Sequence, residues 1–441
     1  MKRFFVLFTT LCLLLALCLS FASCAKRETI LLTYEKDGKQ LTFSSNHYQL
    51  LASRAKGSLA ASGVTAGGYD ATKDAFWDYT DKFDGETVET VDQYQSRRLL
   101  ESCKFYLAAH VLFQERGLSL PESTAEELKS TLDELMQTDA GGSKAKFNSL
   151  LAAYGVNYDL LLDFYRLDEE VDALKESLYG KDASLIGKNL KEEYLKEHYY
   201  HLRLIRIDPY TYVYEIDENG DEIYYDAENN KIAYDKTNGV KVVEDNGSVT
   251  YRLPDESGEA TERYAYDKEN GVRALALSSD GSTYEVAVVS DEERDAFLDR
   301  VVEFASISTK GEFDEVFAEE SARLQSDERA VGYVNEIYLP SNLNDYSILD
   351  EIVYALSDMD EGEVKLLDDE SGSYYLFCKD APEEGAYEDE DLAIWFGDFS
   401  AGLINSLFEE ACRALFPNIT VNEEVLQNLP SMKKIEPNYY Y

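Results

Sequence analysis

The chain has 441 residues, with 86 acidic side chains against 42 basic ones and a formal net charge of −44. That balance repels nucleic acid and anionic lipid headgroups and excludes both as electrostatic partners. Hydrophobic residues make up 44% of the chain against six cysteines, so stability must come from apolar cores, and the length allows more than one.

Lys2 and Arg3 open a targeting segment, followed by an apolar run from Phe4 to Leu19 that only Thr9 and Thr10 interrupt. The run ends in the small pair Ala22-Ser23, directly before Cys24. This order resembles the signal peptide and lipobox of bacterial lipoproteins, with Phe21 where a Leu is usual. The resemblance implies loss of residues 1–23, acylation of the Cys24 thiol, and a mature chain held on the extracytoplasmic face of the cell membrane. The alternative is an uncleaved anchor, for which the apolar run is at the short end. Cys12 and Cys18 would leave with the signal. Cys103, Cys378 and Cys412 remain, as three buried thiols or as one bridge and one free thiol.

Residues 24–45 read as a lipidated tether and a short hairpin, with strands Ile30–Tyr34 and Gln40–Phe43 around Lys36-Asp37-Gly38. Residues 46–201 read as a helical domain. A helix starts near Asn46 and is broken by the glycine-rich piece 63–69; another runs from Val91 to Arg116 and stops at Gly117. Ser123 and Glu126 have capping-box spacing, and Leu128, Leu132, Leu135 and Met136 then mark one helical face. Two more periodic stretches stop at Gly155 and Gly180, and a last helix is expected from Leu185 to His201.

Residues 208–290 change character: tyrosines and β-branched residues alternate with acids between turns such as Asn219-Gly220, Asn238-Gly239, Asn246-Gly247 and Asn270-Gly271. This describes antiparallel hairpins. No exact repeat period is evident, although Ile223–Asp226, Ile232–Asp235 and Tyr264–Asp267 are similar. Asp217, Asn219 and Asp221 share the alternation of a calcium loop but lack its later Glu, so an ordinary turn is expected. Beyond Asp291 helices and strands mix up to residue 382; 383–391 is an acidic linker. Residues 392–441 hold an amphipathic helix ending before Pro417, the strand Ile419–Val421 and a tail whose tyrosine end is expected to fray.

The order of these parts resembles the PrsA- and SurA-type extracytoplasmic foldases. Glu115–Ser119, Ala152–Gly155 and Glu193–His198 are similar to their helical chaperone domain. Gly311–Ser321, Gly332, and Glu361–Val364 followed by Ser373–Phe377 are similar to their parvulin domain. The resemblance implies an α+β protein: a SurA-like helical domain completed by the C-terminal helix, and a parvulin-like α/β domain over 202–207 and 291–382 with 208–290 inserted. It also implies unfolded or newly secreted polypeptides as partners. Parvulin isomerases carry one His in the first strand and one in the last. Here Leu204 or Ile205 takes the first position, Tyr375 the second, and the proline pocket falls near Asp345 and Leu349. No catalytic residue is therefore assigned.

His198 and His201, three apart beside Glu197, have a metal-like helical spacing without a third ligand, and surface or packing histidines are expected. No cofactor motif is present, so cofactors and metals are assigned none. The sequence thus points to a lipid-anchored chaperone without isomerase chemistry. The rivals are an active prolyl isomerase and a surface interaction module built on the tyrosine-rich insertion.

Overall fold

The computed structural model describes residues 29–441 except 86, 227, 229–231, 328 and 342–348. The signal-like segment, Cys24 and Asp345 lie outside the described residues. Among those described, no helix is long and apolar enough to cross a membrane. The architecture is α+β, in two compact units: Met1–Gly187 with Asp398–Tyr441, and Lys188–Gly397.

The first unit opens with the hairpin β1 (Ile30–Lys36) and β2 (Lys39–Ser44), turned at Asp37 and Gly38, both at positive φ. Five main helices follow: α1 (Ser45–Ala61), α2 (Val91–Glu115), α3 (Glu122–Ala140), α4 (Lys144–Leu151) and α5 (Tyr158–Tyr179). Their ends are written locally. Thr90 and Gln93 form a reciprocal capping box on α2, Asn157 caps α5, and Gly141 closes α3 in the left-handed conformation. The expected Ser123–Glu126 box is absent. Helix α3 starts at Glu122 after Pro121, whose fixed φ already suits the entry, and Ser123 lies inside its first turn. One continuous core, including Leu50, Leu107, Leu132, Phe147 and Phe164, joins the hairpin to all five helices.

In the second unit α6 (Lys188–His198) leads into the 14-residue strand β3 (Tyr199–Tyr212). The strand begins three residues before the expected point, so His198 ends a helix while His201 sits in the sheet, and the two do not share a helical face. The hairpin region forms a small sheet of β4 (Val240–Val243), β5 (Val249–Pro254) and β6 (Ala260–Tyr264), and returns through β7 (Val286–Val288). Val286 pairs with Tyr212, and Val289 N–H donates to the Pro209 carbonyl at 3.1 Å, so both ends of the excursion meet on β3. The turns are held by aspartates: Asp217 Oδ1 accepts Asn219 N–H and Asp221 N–H, each at 2.9 Å.

The similar segments Ala233-Tyr-Asp-Lys and Ala265-Tyr-Asp-Lys pair antiparallel with each other. Asp235 N–H donates to the Ala265 carbonyl at 2.8 Å and Asp267 N–H to the Ala233 carbonyl at 3.1 Å, a reciprocal arrangement. Two of the three similar segments noted in the sequence thus pair with each other.

Helices α7 (Asp291–Ser306) and α8 (Lys310–Ser326), each with its own capping box, cover one face of the main sheet. Strand β8 (Ala330–Pro340), helix α9 (Asp350–Asp358) and the hairpin β9 (Val364–Asp368) and β10 (Tyr374–Asp380) complete the unit. The sheet runs β7-β3-β10-β9, with β8 on the other edge of β3. Gly332 belongs to β8. It has φ +136° at a bulge, and a Cβ there would lie 2.5 Å from the Arg206 carbonyl oxygen. The acidic stretch after β10 is docked: Gly385 N–H and the Tyr387 hydroxyl both reach Glu192 Oε1, at 3.0 and 3.1 Å.

The C-terminal segment rejoins the first unit. Helix α10 (Phe399–Arg413) starts seven residues later than Leu392, and β11 (Ile419–Val421) pairs antiparallel with β1. The tail does not fray. Lys56 Nζ donates to the Met432 carbonyl at 2.8 Å, Asn438 N–H to the Ser53 carbonyl at 2.9 Å, and Arg54 Nε to the Tyr441 carbonyl at 2.9 Å. A Cβ at Gly57 would overlap the Asn438 carbonyl, so α1 carries a glycine where the tail crosses. Cys103, Cys378 and Cys412 are three buried free thiols.

Candidate functional site

Alternation along β3 divides the residues singled out in the sequence. Leu202 and Leu204 face α9 and pack with Ile337, Ile352, Leu356, Tyr375 and Phe377. Ile205 and Ile207 face α7 and α8, with Phe304, Phe313 and Leu376. Leu204 therefore shares a face with Tyr375, and Ile205 does not. Leu349, at the start of α9, is half-buried against the same cluster as Leu204. Leu204 is 1% exposed, so the side chain at the first His position is sealed core.

What lies opposite Tyr375 is Arg206, and opposite Arg206 on its other side is Tyr333. The guanidinium carbon sits 5.6 Å from the Tyr375 ring centroid and 5.9 Å from that of Tyr333, making a Tyr–Arg–Tyr row across three strands. Arg206 donates to the buried Asp208 carboxylate at 2.8 Å, and the Ser373 hydroxyl donates to the same oxygen at 2.5 Å. The Tyr375 hydroxyl donates to Asp369 Oδ2 at 3.0 Å. Burial pushes that hydroxyl up to about 12, Arg206 pulls against this, and the bond to Asp369 adds to it. Hydrogen bonds from Ser371, Ser373 and Tyr375 hold Asp369 below the ordinary carboxylate range although burial opposes them. The row thus sets the Arg206 guanidinium between two tyrosines whose hydroxyl pKa values burial pushes up. The described imidazole on β3, His201, points to the opposite face, bonded to Glu336 at 2.8 Å and the Ala381 carbonyl at 3.1 Å.

Arg206, Asp208, Tyr333, Ser373 and Asp369 were assigned no site role from the sequence, although Ser373 opens one of the resembling motifs. Arg206 and Asp208, two apart on a strand, carry the one local signal: opposite charges on the same face.

The helical unit carries a different site. Residues of α2, α5 and α10, with Phe416 just beyond α10, line a groove of about 410 Å³ floored by Phe105, Tyr106, Val171, Phe408 and Phe416. Phe105 meets Phe408 and Phe416 edge-on, at centroid distances of 5.7 and 6.5 Å. Arg98, Lys175 and Arg413 stand on the rim with Glu101 and Glu409. Lys175 is anchored to Asn405 at 2.8 Å, with its ammonium 5.3 Å from the Phe408 ring centroid. The Tyr106 hydroxyl is fixed on Asp168 at 2.7 Å. Such a groove offers rigid aromatic surface with cations at its edge.

No protein-family model and no curated protein matches the sequence. Among solved structures, the chain is similar to the foldase protein PrsA from Streptococcus pneumoniae at 10% identity, with a TM-score of 0.20. The similarity covers 78% of this chain and 95% of that one. The functional reading accordingly rests on this chain's own residues.

Proposed function

We propose that the protein is an extracytoplasmic chaperone of the foldase type, anchored to the membrane by a lipid on Cys24, that binds unfolded or newly exported polypeptides without isomerising proline. The groove of the helical unit carries this reading. Unfolded chains expose apolar side chains beside free backbone groups, and a half-open aromatic floor with a charged rim takes such segments with little demand on their sequence. Anchoring is supported by the order of the first 24 residues: basic start, apolar run, small pair, cysteine.

The absence of catalysis is supported by the sheet unit. Lowering the barrier of about 20 kcal/mol to X-Pro rotation needs a sheltered, oriented amide. Here the first parvulin position is sealed under α9, and the second is a tyrosine held protonated by burial. One observation favours the rival isomerase reading: Arg206 stays about a third exposed between its two tyrosines, a cation able to bond a substrate carbonyl.

Aggregation suppression and a proline-limited refolding reaction, measured side by side on one preparation, decide between the readings. The expected result is slowed aggregation of an unfolded client and almost no acceleration of refolding. Strong acceleration lost in Tyr375→Ala or Arg206→Ala would replace this reading with the enzyme. For the anchor, Cys24→Ala should no longer incorporate labelled fatty acid; continued labelling would sink the lipid assignment.

A further inference from the structure

Three arginines converge on one cavity of the second unit, although acidic residues outnumber basic ones by two to one in the chain. Arg300 of α7, Arg323 of α8 and Arg329 before β8 line a space of about 360 Å³ together with Val289, Glu293 and Asp327. Arginine carries five donors in a planar fork and stays charged, so an enclosed guanidinium needs acceptors arranged to match.

Arg323 and Arg329 have some. Arg323 Nε bonds Glu320 Oε2 at 2.8 Å, and Arg329 Nε donates to the Tyr212 carbonyl at 3.2 Å. Among the described residues Arg300 has none within hydrogen-bond reach: the nearest described carboxylate oxygen, on Glu320, is 3.8 Å away, and only 25% of the Arg300 side chain is exposed. Burial, then repulsion from Arg323, pulls its pKa down from the ordinary arginine value.

Asp208 also lines the cavity, turning Oδ1 to Arg206 and Ser373 while its buried Oδ2 has no partner among the described residues; the other neighbouring acids are committed. Glu293 closes the capping box of α7, accepting from Ser290 N–H at 2.9 Å and the Ser290 hydroxyl at 2.8 Å, and its other oxygen meets Arg329. Asp327 accepts the Arg329 N–H at 3.0 Å. Glu320 is buried and shared between Arg300 and Arg323.

We infer that this cavity is a binding site for a small oxyanion, a carboxylate or a phosphate group, received mainly by the Arg300 fork with Arg323 and Arg329 beside it. The volume suits a small ligand or one side chain. Planar oxyanions match the fork with two parallel bonds, which an ammonium or a hydroxyl ligand does not.

The test titrates the full chain in detergent with sodium phosphate and with succinate, against sodium chloride of equal ionic strength. At least one anion should bind saturably and raise the melting temperature above the chloride control. A response to phosphate alone identifies the phosphate source, to succinate alone the carboxylate source, and to both the shared chemistry. Arg300→Gln should weaken the binding about tenfold to a hundredfold, the loss of a charged hydrogen-bonding partner. Arg300→Lys keeps the charge without the fork and should also lose most of the affinity, which keeps the test open if the Gln variant fails to fold. Responses no larger than chloride, or equal binding by wild type and Arg300→Lys, would overturn the inference.

Discussion

The two units treat their aromatic and apolar side chains in opposite ways. In the sheet unit α9 closes over Leu202, Leu204 and Phe377, and what stays accessible beside them is the polar row around Arg206. In the helical unit α10 lies against α2 and α5 but leaves Phe105, Tyr106 and Phe416 half-buried at the floor of a groove. A sealed face contributes stability; a half-open one keeps apolar surface available for a ligand. On the proposed reading, polypeptide binding belongs to the groove of the helical unit, and Leu204 has a structural role on its strand.

The contrast breaks first at Leu204. If that face is closed core, Leu204→Ala should cost about 2–5 kcal/mol in denaturant unfolding, through lost burial and the cavity left behind. A cost under about 1 kcal/mol would mean the position is open and the site reading has to change.

The helical unit should also be the more acid-sensitive. His47 lies between Phe43 and Phe164, at ring distances of 5.1 and 5.7 Å, and neither ring nitrogen has a partner in bonding geometry. Burial lowers its pKa from 6.5 to about 4, set against a weaker opposing pull from the Leu160 backbone. A depressed His favours the neutral form in the fold. Its contribution is therefore present above pH 6.5 and lost as pH falls from there towards 4, by about 3 kcal/mol in all. Comparing His47→Phe with wild type at pH 7.5 and pH 4.5 isolates it: the variant should lose less stability on acidification. Parallel acid limbs would refute the assignment.

The groove sharpens the comparison by function. Replacing Phe105 and Phe416 together by Ala should weaken capture of an unfolded client about tenfold or more, while costing less stability than Leu204→Ala because both rings are already half-exposed. Unchanged aggregation suppression in a folded double variant would move the binding surface elsewhere.

The smallest effect is expected at the hairpin region. Its ends meet where Val213 N–H bonds the Glu285 carbonyl at 3.0 Å, so a short Gly-Ser closure across residues 214–284 replaces one loop by another and should shift unfolding by about 1 kcal/mol or less. Loss of the cooperative melt would make the hairpins part of the core. Intact folding with lost client capture would favour the interaction-module reading instead.

The sequence by itself determined what nearest neighbours decide. Glycines such as Gly117, Gly141, Gly155 and Gly180 ended helices because a positive φ costs them little. The turn residues of 208–290 announced hairpins because Asx and Gly chemistry acts over two to four residues. Boundaries shifted where local signals competed, as at Pro121 against Ser123, or at residues 392–398, whose helical pattern gives way to turns ahead of α10.

Only the tertiary structure decided which strand face Leu204, Ile205 and Arg206 occupy, because a one-residue shift reverses every side chain and the register is set by β8 and β10. It also decided that Tyr333 and Tyr375 flank Arg206 from strands more than a hundred residues on. The tail was unreadable for the same reason: Ser53, Lys56 and Gly57 look like ordinary helix until the chain end returns to bond and press against them. Caps and turns are local hydrogen bonds, whereas faces, grooves and docked tails are contacts between segments far apart in the chain, whose partners no single stretch of sequence names.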